Sequence, residues 1–268
     1  PDCYRCPFDL SPESCKAECF EPLERTLEEN KKTVAGVIIE PLVQGAAGMK
    51  MYPPAYLKKL ENTCENFKTH TIYDEVAVGF GRTGSLFVCE EYGLKPTFLC
   101  LSKGITSGYL PLAATLTSDK VYQAFYDEPS SMKLFIHSHS YSANPLACAC
   151  ANETLAMLTE KNFLQSLKPK IKFLGKMGNK LRELEWCGEF RQTGMIAAVE
   201  LVRNKEVKGT FSPEERVGYK VYIEGLKRGV FMRPLGNVIY FIPPLIINNR
   251  EIETMVETAY ESIKAVLG

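Results

Sequence analysis

The sequence predicts an α/β fold: a mostly parallel, doubly wound sheet, incomplete in this chain, followed by a smaller C-terminal α+β domain. Three observations carry that expectation. Up to about residue 160, short β-branched runs alternate with segments of helical period, the pattern of parallel strands joined by helices. Beyond residue 160, helices instead flank pairs of consecutive strands, as in helices packed on an antiparallel sheet. The 268 residues, 45% hydrophobic and 24% charged, suffice for one large or two ordinary domains with a buried core. We therefore expect domains at 1–160 and 161–268.

The elements follow in order. Residues 34–40 form a β-branched run ended by Pro41, expected to be a strand buried on both faces. Residues 53–67 carry apolar side chains at helical spacing behind prolines suited to a first turn. Residues 71–74, 98–101 and 112–117 read as short strands. Ser118 is placed to cap a helix from Asp119, and 143–160 is a long alanine-rich helix. In the second half a lysine-rich amphipathic helix is expected from 162 to about 185, then strands at 189–193 and 195–202. A helix at 213–228, strands at 230–233 and 238–242, and a last helix at 250–266 complete the set.

Charge narrows the function. Lysine plus arginine and aspartate plus glutamate number 32 each, so neither nucleic acid nor an anionic membrane is an expected partner. The apolar runs are of strand length, too short to span a bilayer. Residues 1–10 lack the basic start and apolar core of a secretory signal, and the start at Pro1 leads us to expect a processed protein or a fragment. Most of the ten cysteines fall singly or on apolar stretches, as reduced thiols do, which points to the cytoplasm. Cys3-x-x-Cys6 and Cys15-x-x-x-Cys19 could by spacing bind zinc or an iron–sulfur cluster. With His70, His137 and His139 scattered, no metal is expected.

The chemistry concentrates at two strand ends. Asp74 ends a predicted strand, and in open α/β sheets the carboxyl ends of strands face the ligand crevice. Gly79-Phe80-Gly81-Arg82-Thr83-Gly84 follows, a run that needs tight turns or close backbone approach. Lys103, 29 residues after Asp74, ends the next strand between Ser102 and Gly104, where desolvation could free its amine as a nucleophile. An amine for an aldehyde and an anion for a ring nitrogen are what a pyridoxal phosphate enzyme most needs.

These residues resemble a known family. Glu40-Pro41 with Gln44-Gly45 and Gly48, Asp74-Glu75-Val76 with the glycine run, and Ser102-Lys103-Gly104 are similar in order and spacing to the class III pyridoxal-phosphate aminotransferases, of fold type I, over essentially the whole chain. The runs at 44–48, 103–106, 137–141 and 144–149, with Arg233-Pro234, Tyr240 and Pro243-Pro244, most resemble the family's biotin-synthesis branch. Ala77, where many members carry glutamine, points the same way. The resemblance implies pyridoxal 5'-phosphate as cofactor, 8-amino-7-oxononanoate as amino acceptor, and S-adenosylmethionine, or in some relatives lysine, as donor.

It also implies roles. Lys103 would bind the cofactor aldehyde and carry the substrate proton, and Asp74 would pair with the ring nitrogen. Val76 would pack on a ring face, and Ser140 would bind the cofactor phosphate of the other subunit of a homodimer. Arg233 would hold the substrate carboxylate. In the family the phosphate cradle and the stacking aromatic residue precede the strand at 34–40, so this chain is expected to hold the cofactor weakly by itself. A general ω-aminotransferase, or a non-catalytic remnant needing a second polypeptide, are the alternatives.

Overall fold

The computed structural model of the chain describes residues 1–11, 14–160 and 162–268. After an irregular N-terminal strap comes helix α1 (Glu21–Glu29), which the sequence reading did not anticipate. Strand β1 (Gly36–Ile39) leads to a small hairpin, β2 (Val43–Gln44) and β3 (Lys50–Met51). Helix α2 (Pro54–Phe67) starts behind Pro53 and ends where Lys68 turns left-handed at φ 54°; its inward face buries Tyr56, Leu57, Leu60 and Cys64. Then come β4 (His70–Asp74), the short α3 (Val88–Tyr92), β5 (Phe98–Leu101), β6 (Ala114–Thr117) and α4 (Asp119–Gln123). The chain continues through α5 (Pro145–Thr159), α6 (Phe163–Gly178), β7 (Cys187–Thr193), β8 (Ile196–Leu201) and α7 (Val217–Lys227), and ends with β9 (Arg233–Leu235), β10 (Val238–Phe241) and α8 (Asn249–Leu267).

Two four-stranded sheets organise these elements. The first has the order β1-β4-β5-β6, with β1, β4 and β5 parallel and β6 antiparallel to β5. The second, β7-β8-β10-β9, is antiparallel throughout and packs against helices. An α/β fold with a parallel sheet and a C-terminal α+β unit is thus what the chain adopts. The expected boundary at 160/161 abuts Lys161, which lies outside the described residues.

Four local expectations need correction. Residues 34–40 do not make a strand buried on both faces: β1 is the sheet's edge, paired to β4 alone, and Ile38 is 64% exposed. A β-branched run suits any half-buried pleated surface, so composition does not separate an edge strand from a central one. Ser118 precedes α4 but makes no capping bond, whereas Asn144 caps α5, its Oδ1 accepting from the N–H groups of Leu146 at 3.0 Å and Ala147 at 3.3 Å. The helix expected at 213–228 is broken by Arg216 at φ 47° into a single turn, Pro213–Glu215, and α7. The strand expected at 230–233 begins only at Arg233, where the pairing with Tyr240 of β10 starts; Met232 before it is buried beside Gly225.

β8 divides two cores. Ile196 and Ala198 join the first, around Phe20, Leu57, Tyr73 and Val78, while Ala197, Val199 and Leu201 join the second, around Leu174, Val221 and Val256. The period of two along a strand sends alternate side chains to opposite faces, so a strand walled in on both sides reads as one apolar run.

A buried arginine fastens the hairpin to this second sheet. Glu189 of β7 and Glu200 of β8 face each other directly in register, a repulsive pairing. The Arg191 guanidinium resolves it, with Nη1 2.5 Å from Glu189 and 3.0 Å from Glu200. Nε and Nη2 donate to the carbonyls of Met49 at 2.8 Å and Gly48 at 2.7 Å, gripping the turn between β2 and β3. Arg191→Met would leave Glu189 and two carbonyls without their partner, and Glu200 with Arg5 alone. We expect a loss of about 3–5 kcal/mol in unfolding free energy, read from denaturant titration.

Candidate active site

The site is built at the carboxyl ends of β4 and β5. Asp74, the last residue of β4, lies level with Cys100 of β5 in the parallel register, and Lys103 follows three residues later. Alternation along the strand sends Tyr73 and Glu75 into the core and leaves Asp74 half-buried on the opposite, more open face. One oxygen of the Asp74 carboxylate accepts from the Val76 N–H at 3.1 Å, which steadies the side chain at the strand end.

Glu75 is wholly buried. Its N–H donates to the Cys100 carbonyl at 3.0 Å and extends the β4–β5 ladder one residue beyond Asp74. Its two carboxylate oxygens accept separately from the backbone N–H groups of Val88 and Cys89, each at 2.8 Å, at the start of α3. Burial pushes the Glu75 pKa up, against the pull of these donors.

The glycine run connects the two strand ends. Gly79 donates to the Glu75 carbonyl at 2.9 Å, and Phe80, buried at φ 57°, packs face to face with Gly104. A Cβ on Gly104 would stand 2.8 Å from the Phe80 Cβ, so only glycine lets the turn that carries Lys103 seat against this ring. Arg82 then reaches the second half of the chain: Nη1 donates to the Pro243 carbonyl at 2.5 Å, and its own carbonyl accepts from Met195 at 2.9 Å. Burial pulls the Arg82 pKa down to about 10. Sequence reasoning singled out the run but missed what Glu75, Phe80 and Arg82 do. A charged residue directly behind a buried strand, and a glycine facing an aromatic residue, were the available signals.

Lys103 opens a single helical turn, Lys103–Thr106, in the left-handed region at φ 45°. Its side chain is exposed, so the expected desolvation of the amine is not what this structure shows. The turn is braced by Ser102 Oγ on the Leu112 carbonyl at 2.8 Å and Thr106 Oγ1 on the Leu110 carbonyl at 2.5 Å. Helix α5 packs behind it, with Ser107 and Thr154 hydroxyls 3.3 Å apart.

The structure therefore brings Asp74, Val76 and Lys103 to one end of one sheet. Ser140 lies on a wholly exposed stretch in front of α5, and Arg233 is exposed on β9 opposite Tyr240. Among the described residues no hydrogen bond ties either to Asp74 or Lys103. Two cavities, of about 470 and 520 Å³, lie along Phe231, Tyr240 and Arg250 and along Arg5, Arg191 and Asn237; neither is lined by Asp74 or Lys103. Among the described residues no cluster of histidine, cysteine or carboxylate side chains could hold a metal ion, and no helix is long and apolar enough to cross a membrane. A fixed carboxylate and a solvent-reachable primary amine on adjacent strand ends fit the ring nitrogen and the aldehyde of pyridoxal phosphate.

Comparison with known proteins places the chain in a family. The adenosylmethionine-8-amino-7-oxononanoate aminotransferase of Geobacter sulfurreducens is 49% identical over all of this chain, which spans 59% of that relative's length. The crystal structure of the enzyme of the same name from Methanocaldococcus jannaschii superposes with a TM-score of 0.90 at 39% identity, over 96% of this chain and 59% of that one. An amine transaminase from an uncultivated Pseudomonas species, solved in its PLP-bound form, superposes equally well at 32% identity, over 99% of this chain and 60% of that one. The profile of the family described as Aminotransferase class-III matches residues 1–263. With that match running through both sheets and both strand ends of the site, the chain belongs to the class-III aminotransferases.

Proposed function

We propose that this chain carries the lysine and the ring-binding carboxylate of a pyridoxal-phosphate aminotransferase that converts 8-amino-7-oxononanoate to 7,8-diaminononanoate in biotin biosynthesis, with S-adenosylmethionine as amino donor. The observation that carries the chemistry is the register of β4 on β5, which sets Asp74 and Lys103 at one sheet end. The substrate assignment is supported by the 49% identity to a relative bearing that name. Residues 1–160 are the cofactor-bearing part and 161–268 the small domain, a division supported by the second core, which draws only on residues beyond 160, while Ile196, Ala198 and Val238 reach back into the first.

Pyridoxal phosphate, when bound, supplies an electrophilic aldehyde and a ring that withdraws electrons from the substrate carbon. The chain's own residues do the rest. Asp74, steadied by the Val76 N–H, holds the proton on the ring nitrogen. Val76 covers a ring face. Lys103, on an exposed turn braced from behind, has an amine free to bind the aldehyde and then to move the substrate proton. Arg233 offers two parallel donors to the acceptor's terminal carboxylate. Ser140 serves the phosphate of a second subunit in a homodimer. Exposed Phe135, Ile136, Tyr141 and Leu146, close to it in sequence, support this, since a subunit interface would cover apolar side chains of this kind.

A general ω-aminotransferase is the second reading, favoured by the TM-score of 0.90 to an amine transaminase. The chain spans about three-fifths of its relatives, so a polypeptide that needs further sequence to retain cofactor is the third. Visible absorbance on adding pyridoxal phosphate to the purified protein, lost in Lys103→Ala, is expected; no absorbance in the wild type would favour the third reading.

Two substitutions separate the remaining possibilities. Asp74→Asn should keep the cofactor yet lower turnover about 100-fold or more, because a neutral amide cannot hold the ring proton as charge develops. Near-normal turnover would place the ring partner elsewhere. Arg233→Ala should weaken 8-amino-7-oxononanoate by roughly tenfold to 150-fold while leaving its carboxamide analogue unaffected. Equal loss toward both would make Arg233 structural, and amination of pyruvate with no reaction of the oxononanoate would select the general ω-aminotransferase.

A further inference from the structure

We propose that Glu75 is a positioning residue for the transamination: its buried carboxylate locks the strand end that presents Asp74 to the open face of the sheet. The proposal rests on the reading of Asp74 as the ring partner. All the polar groups of Glu75 are committed. Its N–H is bonded to β5, its carbonyl to Gly79 of the glycine run, and its two carboxylate oxygens to separate N–H groups of α3. One residue thus joins β4 to β5, to α3 and to the loop that seats against the Lys103 turn.

The form of this tie is informative. The residue in front of α3, Phe87, offers no side-chain cap. The N–H groups of Val88 and Cys89 are satisfied instead from thirteen and fourteen residues upstream, by a carboxylate with no cation paired to it among the described residues. A serine at the cap position would satisfy the Cys89 N–H locally without burying a charge. What only the distant carboxylate achieves is to tether α3 to the residue beside Asp74. The Cys89 thiol lies against the same carboxylate; burial first, and the Glu75 charge second, push its pKa up to about 12.

The geometry carries the effect to the site. Glu75 points inward, so strand alternation turns Asp74 outward, and the Val76 N–H holds the Asp74 carboxylate there at 3.1 Å. If the Glu75 side chain lost its hold, the peptide between residues 74 and 76 could rotate and carry both Asp74 and Val76 with it. Glu75 itself is wholly buried and touches no substrate; its action is through Asp74.

Glu75→Gln tests this, because glutamine keeps the shape but offers one acceptor oxygen and sets its amide N–H groups against a backbone N–H. Hydrogen exchange at Val88, Cys89 and residues 74–80 should accelerate at least about tenfold, and more than at the amides of the second sheet, which follow only the global stability. In the cofactor-loaded enzyme kcat should fall on the order of 100-fold with KM nearly constant, as for a group displaced by about 1 Å. The pH titration of bound-cofactor absorbance should also shift, a change that simple loss of stability would not produce. Glu75→Asp, which keeps both oxygens on a shorter stem, is read by the same measurements if Glu75→Gln does not fold. Exchange over residues 74–80 as slow as in wild type, or wild-type kcat despite faster exchange, would overturn the positioning role. Near-normal turnover of Asp74→Asn would instead defeat the reading of Asp74, and exchange alone would then decide whether the tie exists.

Discussion

The Arg191 guanidinium is the contact on which the joint between the β2–β3 hairpin and the second sheet depends. It answers a conflict the second sheet creates for itself, two glutamates directly opposite one another on β7 and β8, and spends its remaining donors on the backbone of the β2–β3 turn. A charge pair buried this deeply is held by geometry rather than by net attraction, since desolvation offsets most of the Coulomb gain. Its value is in specifying how the hairpin and the second sheet meet. Arg5, on Glu200 at 2.8 Å, and Lys50, on Asp2 at 3.0 Å, tie the N-terminal strap into the same network.

A second joint lies where backbone meets backbone. Gly194, in the tight turn between β7 and β8, sits so close to the glycine run that a Cβ would come within 2.4 Å of the Thr83 Cα. Arg82 bonds on either side of this point, to Pro243 and to Met195. The glycine run is therefore wedged between the Lys103 turn and the second sheet. Its glycines serve close approach at least as much as unusual dihedral angles. Motion of the second sheet relative to the first would be felt at Phe80 and hence at the turn bearing Lys103.

Electrostatically, the strand ends combine two opposite environments within two residues. Asp74 is half-buried beside an open face, where an anion can meet a cationic ring, whereas Glu75 is sealed beneath it and surrounded by backbone dipoles. The pleat of the strand produces this division, because adjacent carboxylates on a strand must face opposite ways. Lys103 stands apart from both, braced through Ser102 and Thr106 rather than through its own side chain.

The sequence by itself determined the class of fold and which residues stand at the strand ends. Periodicity and turn residues are local properties, so β4, β5, α2, α5 and α8 were legible to within a few residues, and the resemblance of short motifs pointed to Asp74, Val76, Lys103, Ser140 and Arg233. Only the tertiary structure decided that β1 is an edge, that β8 is shared by two cores, and that Met232 packs inward where a strand was expected, since composition does not record which neighbours a segment acquires. The exposure of Lys103 and the burial of Glu75 belong to the same class of fact. A lysine behind an apolar strand and a glutamate behind a buried one look alike in sequence. What separates them is which face of the sheet each occupies and whether backbone N–H groups from a distant helix are there to receive the charge.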